Sequence, residues 1–249
     1  MTETLAIVLG VALLAAACVG VKHRFWPMDP DDEPREDVAE YISMMVGVLY
    51  ALVLGLALVS VWDTQSSAQQ HVQTEASAAH QVYLLADGLP SGDARRMRSE
   101  MTSYVGHVVN SEFPAMAAGR PLGHRGWDLL RDVRTADWRL AGATASQQAT
   151  AQEVLAQLSV LDDARRGREG DATSGLSPVL WFGLIVGGVL TVAFMFMFGV
   201  RRSFTHVAMV MGLTALITFV VLLVYQLNQP FGGLFSIDAS SFTRYFPGA

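Results

Sequence analysis

The chain is poor in the residues that carry most protein chemistry. It has one cysteine, Cys18, so neither an internal disulfide nor a thiolate metal site can form within it. It has one lysine, Lys22, against abundant arginine, a compositional bias with no chemistry attached to it. No glycine-rich phosphate cradle occurs, and Ser66, Ser67, Ser174 and Ser177 lack the paired His/Asp pattern that would activate a nucleophile. An enzyme is therefore not expected, and no cofactor is implied. A net charge of −6 and a pI near 5.4 leave no clustered basic surface, which excludes nucleic acid as a partner.

The most informative absence is of charge. Four apolar stretches, at 5–21, 41–62, 179–200 and 207–227, contain no Asp, Glu, Lys or Arg. Each has the length a helix needs to cross a hydrocarbon core of about 30 Å. The charged residues are crowded instead into 22–40 and 63–171, so the modest mean hydropathy of +0.33 averages two different populations. The fold class expected is an all-α membrane protein with four transmembrane helices and a helical bundle inserted between the second and third. The bilayer itself is then the first partner.

The first stretch reads as a retained helix. Basic residues follow it at Lys22, His23 and Arg24, where a secretory signal would carry them in front, and Cys18 reads as a small apolar residue within it. Lys22, Arg24, Arg201 and Arg202 mark the short loops that the positive-inside rule puts in the cytoplasm. The N-terminus, the large domain and the C-terminus are then extracytoplasmic, in a multi-pass protein of the bacterial cytoplasmic membrane. Trp62, Trp181 and Tyr225 fall at the outer interface, where amphipathic rings prefer to sit. The expected organisation is two transmembrane helices with an acidic cytoplasmic linker over 1–62, a helical domain over 63–177, a transmembrane hairpin over 178–228 and an aromatic tail over 229–249. The acidic run at 29–33 lacks the glycine and terminal glutamate of a calcium loop and reads as solvated.

The middle region has helical periodicity. Val72, Ala76, Ala79, Tyr83 and Ala86 share a face of a helix continuing directly out of the second apolar stretch. Met97, Met101, Tyr104 and Val108 mark a second helix that stops near Pro114. Trp127, Leu130 and Val133 mark a third. Val154, Leu158 and Leu161 mark a fourth, expected to end at Arg165-Arg166-Gly167 and to be followed by a flexible re-entry over 167–178.

Several motifs in this frame resemble the bestrophin-like transmembrane family of bacterial membrane proteins. They are Glu75-Ala76, the run from Leu84 to Pro90, Tyr104, the run from Glu112 through Phe113 and Pro114 to Met116, and the turn Asn228-Gln229-Pro230-Phe231-Gly232. The resemblance runs from about Tyr41 to Phe242. It implies kinship to bestrophin anion channels, and it bears on architecture more than on function. Family members usually carry an acid near the start of the last motif, where this chain has Asn228; an ion-binding role does not carry over to that position.

The leading function is a homo-oligomeric channel or passive conduit of unspecified substrate. Its lining would come from the second stretch, at Ser43, Met44, Gly47, Val48, Tyr50 and Ala51, with apolar constrictions at Met44, Val48 or Leu52. The alternative is a membrane-anchored binding or interaction subunit, a sensor or accessory protein docking an unidentified protein through the outer domain. Gly55, Gly183 and Gly187 are candidates for close helix packing, within one subunit first and between subunits second. The hydroxyls of Thr191, Thr214 and Thr218 are expected to bond back to their own helices. Residues 228–232 would form an outer-mouth turn leading into an aromatic tail, expected to lie on the membrane surface or pack against the outer helices, with rimming a pore mouth or covering a ligand pocket as the alternative. His71 and Glu75, four residues apart on one helix face, are weak metal candidates, and His107 with Glu112 could lie on the adjacent helix; two pairs on separate helices fall short of three converging ligands, so no metal site is expected.

Overall fold

The computed structural model describes residues 36–135, 144–197 and 204–248, with residues 6, 7, 9–11, 13, 14 and 17 of the first apolar stretch. Cys18, Lys22, Arg24, the acidic run at 29–33 and the Arg201-Arg202 turn lie outside the described residues. Among the described residues there is no strand, and there are eight α-helices. They are α1 (Glu36–Leu85), α2 (Ser91–His107), α3 (Phe113–Ala117), α4 (Arg125–Thr135), α5 (Ala145–Thr173), α6 (Pro178–Met197), α7 (Phe204–Leu227) and α8 (Ser240–Tyr245). Among the described residues three helices are long and apolar enough to cross a bilayer: Tyr41–Gly88, Pro178–Met195 and Val207–Leu227. Of the first stretch, the residues described are helical.

The chain divides into two compact units, Met1–Trp62 with Leu176–Asn228, and Asp63–Gly175 with Gln229–Ala249. The first is thinly packed. Ala57, Val61, Leu184, Val224 and Leu227 form its buried cluster, with Leu54, Leu58, Trp181 and Leu223 packed against it. Trp181 and Tyr225 meet edge to face at 6.2 Å. The lead-in to α6 is tied to the end of α7, where the Leu176 amide donates to Asn228 Oδ1 at 2.7 Å. The Tyr50 ring lies where side chains at Gly187 and Gly188 would have to go: a Cβ at Gly187 would come within 2.6 Å of it. An apolar groove of about 530 Å³ beside it is bordered by Leu184, Gly188, Ile217 and, from the first stretch, Val11 and Leu14.

The second unit has a continuous core. Val72, Ala76 and Ala79 of α1, Met97, Met101 and Tyr104 of α2, Leu130 and Val133 of α4, and Val154, Leu158 and Leu161 of α5 are all buried. These are the faces the periodicity predicts. A capping box starts α5: the Gln147 amide donates to Thr144 Oγ1, and Gln147 Oε1 accepts from the Thr144 amide at 2.9 Å. The helix does not stop at Arg165-Arg166-Gly167 but runs to Thr173. Arg165 and Arg168 are both fully buried, so the apparent polar terminus is a stretch of inward-facing helix. Gly167 is required there by packing, since a Cβ would meet the His71 ring at 2.6 Å. Between α2 and α3 the chain widens into one π-helical turn, Val108–Glu112, and Val108, Glu112, Phe113 and Met116 all come to face inward.

The tail closes this core. Phe231 and Phe242 both lie edge-on to Phe113, at 5.9 and 6.0 Å. Tyr245 stacks on His80 at 4.5 Å, and Phe246 meets Tyr83 edge to face at 5.5 Å. The Gly232 amide donates to the Gln229 carbonyl and the Ile237 amide to that of Pro230, making residues 229–237 a compact turn. Gly233 takes a φ of +83°, which a side chain would resist.

Candidate functional site

Five side chains from four elements meet without access to solvent: Glu75 of α1, Tyr104 of α2, Glu112 of the π turn, and Arg165 and Arg168 of α5. Burying charge costs several kcal/mol per ion unless each is paired and hydrogen-bonded. Here each is. Arg168 Nε and Nη2 donate to the two Glu75 oxygens at 2.5 and 3.0 Å, and Nη2 also donates to Glu112 Oε2 at 2.7 Å. Arg165 Nη1 and Nη2 form a two-pronged pair with Glu112 at 3.0 and 2.6 Å. The Tyr104 hydroxyl accepts from Arg165 at 3.2 Å and donates to Glu75 Oε1 at 2.5 Å.

Within the fully buried set two carboxylates face two guanidiniums, and a third, partly exposed carboxylate, Glu169, meets Arg165 Nη2 at 2.8 Å from the rim. Aromatic faces cover the cations: Arg165 lies 5.0 Å from the Trp127 ring centre and Arg168 5.7 Å from that of Phe113. Gly126 admits α4 to the cluster, because a Cβ there would clash with Arg165 and Glu112. Burial pushes the Tyr104 phenol far above its usual pKa, and the Glu75 carboxylate adds to that. Burial also pushes Glu112 upward, but the bonds from Arg165 and the charge of Arg168 outweigh it and hold this carboxyl below its ordinary value. Burial lowers a guanidinium pKa; the facing phenol and carboxylates overcome that for Arg165 and Arg168, and both stay raised.

Chemically this is a keystone, not a reaction centre. The carboxylate oxygens of Glu75 and Glu112 are occupied by the arginines and Tyr104. His71, weighed with Glu75 for a metal, instead bonds Asp171 through Nδ1 at 2.6 Å, and no group of three metal-ligating side chains occurs among the described residues. His107 Nε2 stands 3.6 Å from Glu112. The family motifs named Glu75, Tyr104 and Glu112 without the reason they belong together. The arginine partners were missed, although their spacing of three residues on one helix face was the available signal.

The remaining candidates lie in the first unit. Met44, Val48 and Leu52 are 60, 65 and 60 % exposed, Ala51 is exposed, and Ser43 and Gly47 are half-buried. Tyr50 is the exception: it is 7 % exposed and turned against Gly187 and Gly188, so it packs helices within the chain and does not belong to a free lining face. Of the packing glycines, Gly187 is in close contact, whereas Gly47, Gly55 and Gly183 have no neighbour within 4 Å of a built Cβ. Among the described residues, packing within the chain does not account for these three. Thr191, Thr214 and Thr218 donate to Gly187, Val210 and Thr214 carbonyls at 2.8, 2.7 and 2.8 Å, each within its own helix. Asn228 ties Leu176, while Phe231 and Gly232 are buried in the second unit.

Fold and site together define an all-helical membrane protein whose polar helical unit is locked by a buried charge cluster. The chain belongs to the Bestrophin-like family, whose domain model matches residues 9–242. A crystal structure of a bacterial bestrophin homologue from Klebsiella pneumoniae, a leucine-to-threonine variant, is similar with a TM-score of 0.73 at 13% identity, covering 98% of this chain and 99% of that one. A crystal structure of a membrane protein carrying a proline-to-alanine substitution is similar with a TM-score of 0.69 at 14% identity, covering 98% and 94%. At such identities the likeness is one of fold. A comparison with curated proteins gave no match.

Proposed function

We propose that the chain is one subunit of a homo-oligomeric membrane channel or passive conduit, with four spans and the helical unit outside the cytoplasm. The observation that carries this reading is α1. It is one helix of 50 residues, and its apolar part leaves Met44, Val48 and Leu52 exposed within the chain. Copies arranged about an axis would cover such a face and leave rings of these side chains around a narrow passage. Family membership and the fold shared with a bestrophin homologue support it. Ser43, Met44, Gly47, Val48 and Ala51 form the lining set once Tyr50 is withdrawn, and an apolar ring at Met44 or Val48 holds water out.

The test is ion flux from liposomes containing only this protein, shown to be oligomeric and inserted. Met44→Ser or Val48→Ser wets the ring and raises flux, while Val192→Ser on α6 leaves it unchanged. No flux from the parent or from either α1 variant would instead favour a membrane-anchored interaction subunit, which should co-purify with another protein. Topology is checked in intact cells by a membrane-impermeant thiol reagent in a Cys18→Ala background. Cysteines at positions 67, 146 and 240 should label from outside and one at 203 only after lysis.

A further inference from the structure

We infer that the groove beside Tyr50 in the first unit is a binding site for a neutral lipophilic molecule whose carbonyl oxygen accepts a hydrogen bond from the Tyr50 hydroxyl. The site lies wholly within that unit and stands whether or not the protein conducts.

The groove, of about 530 Å³, has the volume of a small-molecule site, and residues of the first apolar stretch, α1, α6 and α7 border it. Almost all of that border is hydrocarbon. Among the described residues its polar side chains are three. Thr214 and Thr218 donate to the Val210 and Thr214 carbonyls at 2.7 and 2.8 Å, so both hydroxyl protons are engaged within α7. The third is Tyr50, 7 % exposed, whose hydroxyl has no hydrogen-bond partner. A Cβ at Gly187 would meet the Tyr50 ring at 2.6 Å, and one at Gly188 would lie 2.9 Å from the hydroxyl and 3.4 Å from Ile217. The ring therefore runs along α6 and sets its hydroxyl at the Gly188–Ile217 edge of the groove, where the bare Cα of Gly188 leaves room.

An unmet donor at this place calls for an acceptor. Packing against Gly187 accounts for the ring but not for the oxygen, since phenylalanine would fill the same space without an orphan. Tyr50 stands nine residues beyond Tyr41 and twelve before Trp62, about 14 and 18 Å along the helix axis, deep in the apolar run. Water does not satisfy polar groups at that depth, lipid tails offer no acceptor, and the polar parts of lipids stay at the interface. What remains is an acceptor carried by a molecule dissolved in the hydrocarbon itself. Formal charge is costly there, which excludes a carboxylate. A ketone or quinone carbonyl accepts and, unlike an alcohol, brings no proton of its own to be matched.

Photolabelling with benzophenone, an uncharged ketone whose excited carbonyl bonds to nearby C–H groups, tests this on the full chain in liposomes. Adducts located by peptide mass spectrometry should saturate and fall on groove residues such as Val189 and Ile217. At equal membrane concentration, a long-chain methyl ketone should compete about two- to ten-fold better than the alkane of the same length, the effect of one hydrogen bond. In Tyr50→Phe, checked for the melting temperature and oligomer size of the parent, the two should compete equally. Val189→Trp, which fills the groove from an exposed position, should suppress the adducts. Labelling spread evenly over the apolar helices, or undiminished in Val189→Trp, would overturn the site. Equal competition by ketone and alkane in the parent would show that the groove takes only a hydrocarbon chain of the bilayer, and a ketone preference that survives in Tyr50→Phe would remove the hydroxyl from its recognition; either result overturns the assignment. Ion flux does not enter the readout, so a protein that labels as expected and conducts nothing refutes the channel reading alone.

Discussion

Arg168→Met tests whether the buried charges hold the second unit together. Methionine keeps most of the length of the side chain and lies against Phe113, but it removes both bonds to Glu75 and the one to Glu112. Glu75 keeps the Tyr104 hydroxyl as its hydrogen-bond partner, with Arg165 Nη1 3.9 Å away, and the buried set loses one of its two positive charges. Breaking a buried pair from one side costs about 3–5 kcal/mol. For a chain of this size that lowers the unfolding midpoint by roughly 6–20 °C. Arg166→Met, two residues away, removes only an exposed pair with Asp163 and should cost about 0–1 kcal/mol. Adding Glu75→Gln to Arg168→Met removes the orphaned charge, so the double variant should lose about 0.5–3 kcal/mol less than the two single losses summed. The pH dependence has a definite sign. Glu112 has a folded pKa below its unfolded one, so its contribution is complete above the unfolded value of about 4.3 and is lost as pH falls through the folded value. Part of that depression comes from Arg168, so the variant should show a smaller acid-dependent loss than the parent. Helical circular dichroism followed through thermal unfolding, from pH 7 down to pH 3, reads both effects. If Arg168→Met melts no lower than Arg166→Met, the cluster does not hold the fold.

Alanine in place of a helical glycine ordinarily stabilises, yet Gly126→Ala should lower the melting temperature because its Cβ collides with Arg165 and Glu112. A raised midpoint would show that α4 can move away at no cost. Gly187→Leu should cost about 1–3 kcal/mol by overpacking against Tyr50, whereas Gly183→Leu has open space within the chain. Equal melting curves for Gly187→Leu and the parent would remove that contact from the account, and loss of oligomer in Gly183→Leu would place Gly183 between subunits. Asn228→Asp keeps an acceptor for the Leu176 amide and should melt close to the parent, while Asn228→Leu orphans that amide and should cost about 1–3 kcal/mol. Identical stability of the two Asn228 variants would show that the tie contributes nothing.

Local chemistry made most of the elements legible. Runs without charge announced the long apolar helices, and periodicity placed Val72, Ala76, Met101, Tyr104, Leu158 and Leu161 on inward faces. The end of α5 was misjudged because two arginines followed by glycine look like a helix terminus when nothing shows what they face. Pairing with Glu75 and Glu112 is a contact over 53 to 93 residues of sequence, and no local pattern encodes it. Asn228 has the same character. Nothing in its sequence setting marks its role, yet Oδ1 accepts the Leu176 amide, as a carboxylate oxygen there would. The position calls for an acceptor, and that requirement becomes visible only once the start of α6 lies beside the end of α7.

The same cluster bears on the channel reading through the two sides of α1. On one side Glu75, Ala76 and Ala79 are buried, and Arg168 and Tyr104 fasten the helix to α5 and α2. On the other, Gln73 and Ser77 are exposed and uncharged. A helix that only anchored a domain would need neither the charged clamp nor the charge-free face. A helix that forms a wall needs both. Its rear must resist displacement, because small shifts of a narrow ring change passage steeply, and its front must tolerate its own copies across an axis. Ion pairs buried from water are directional and costly to break from one side, whereas apolar packing permits sliding. Glu75 lies in the part of α1 beyond its apolar run, so the clamp holds the helix where its exposed face is polar and uncharged.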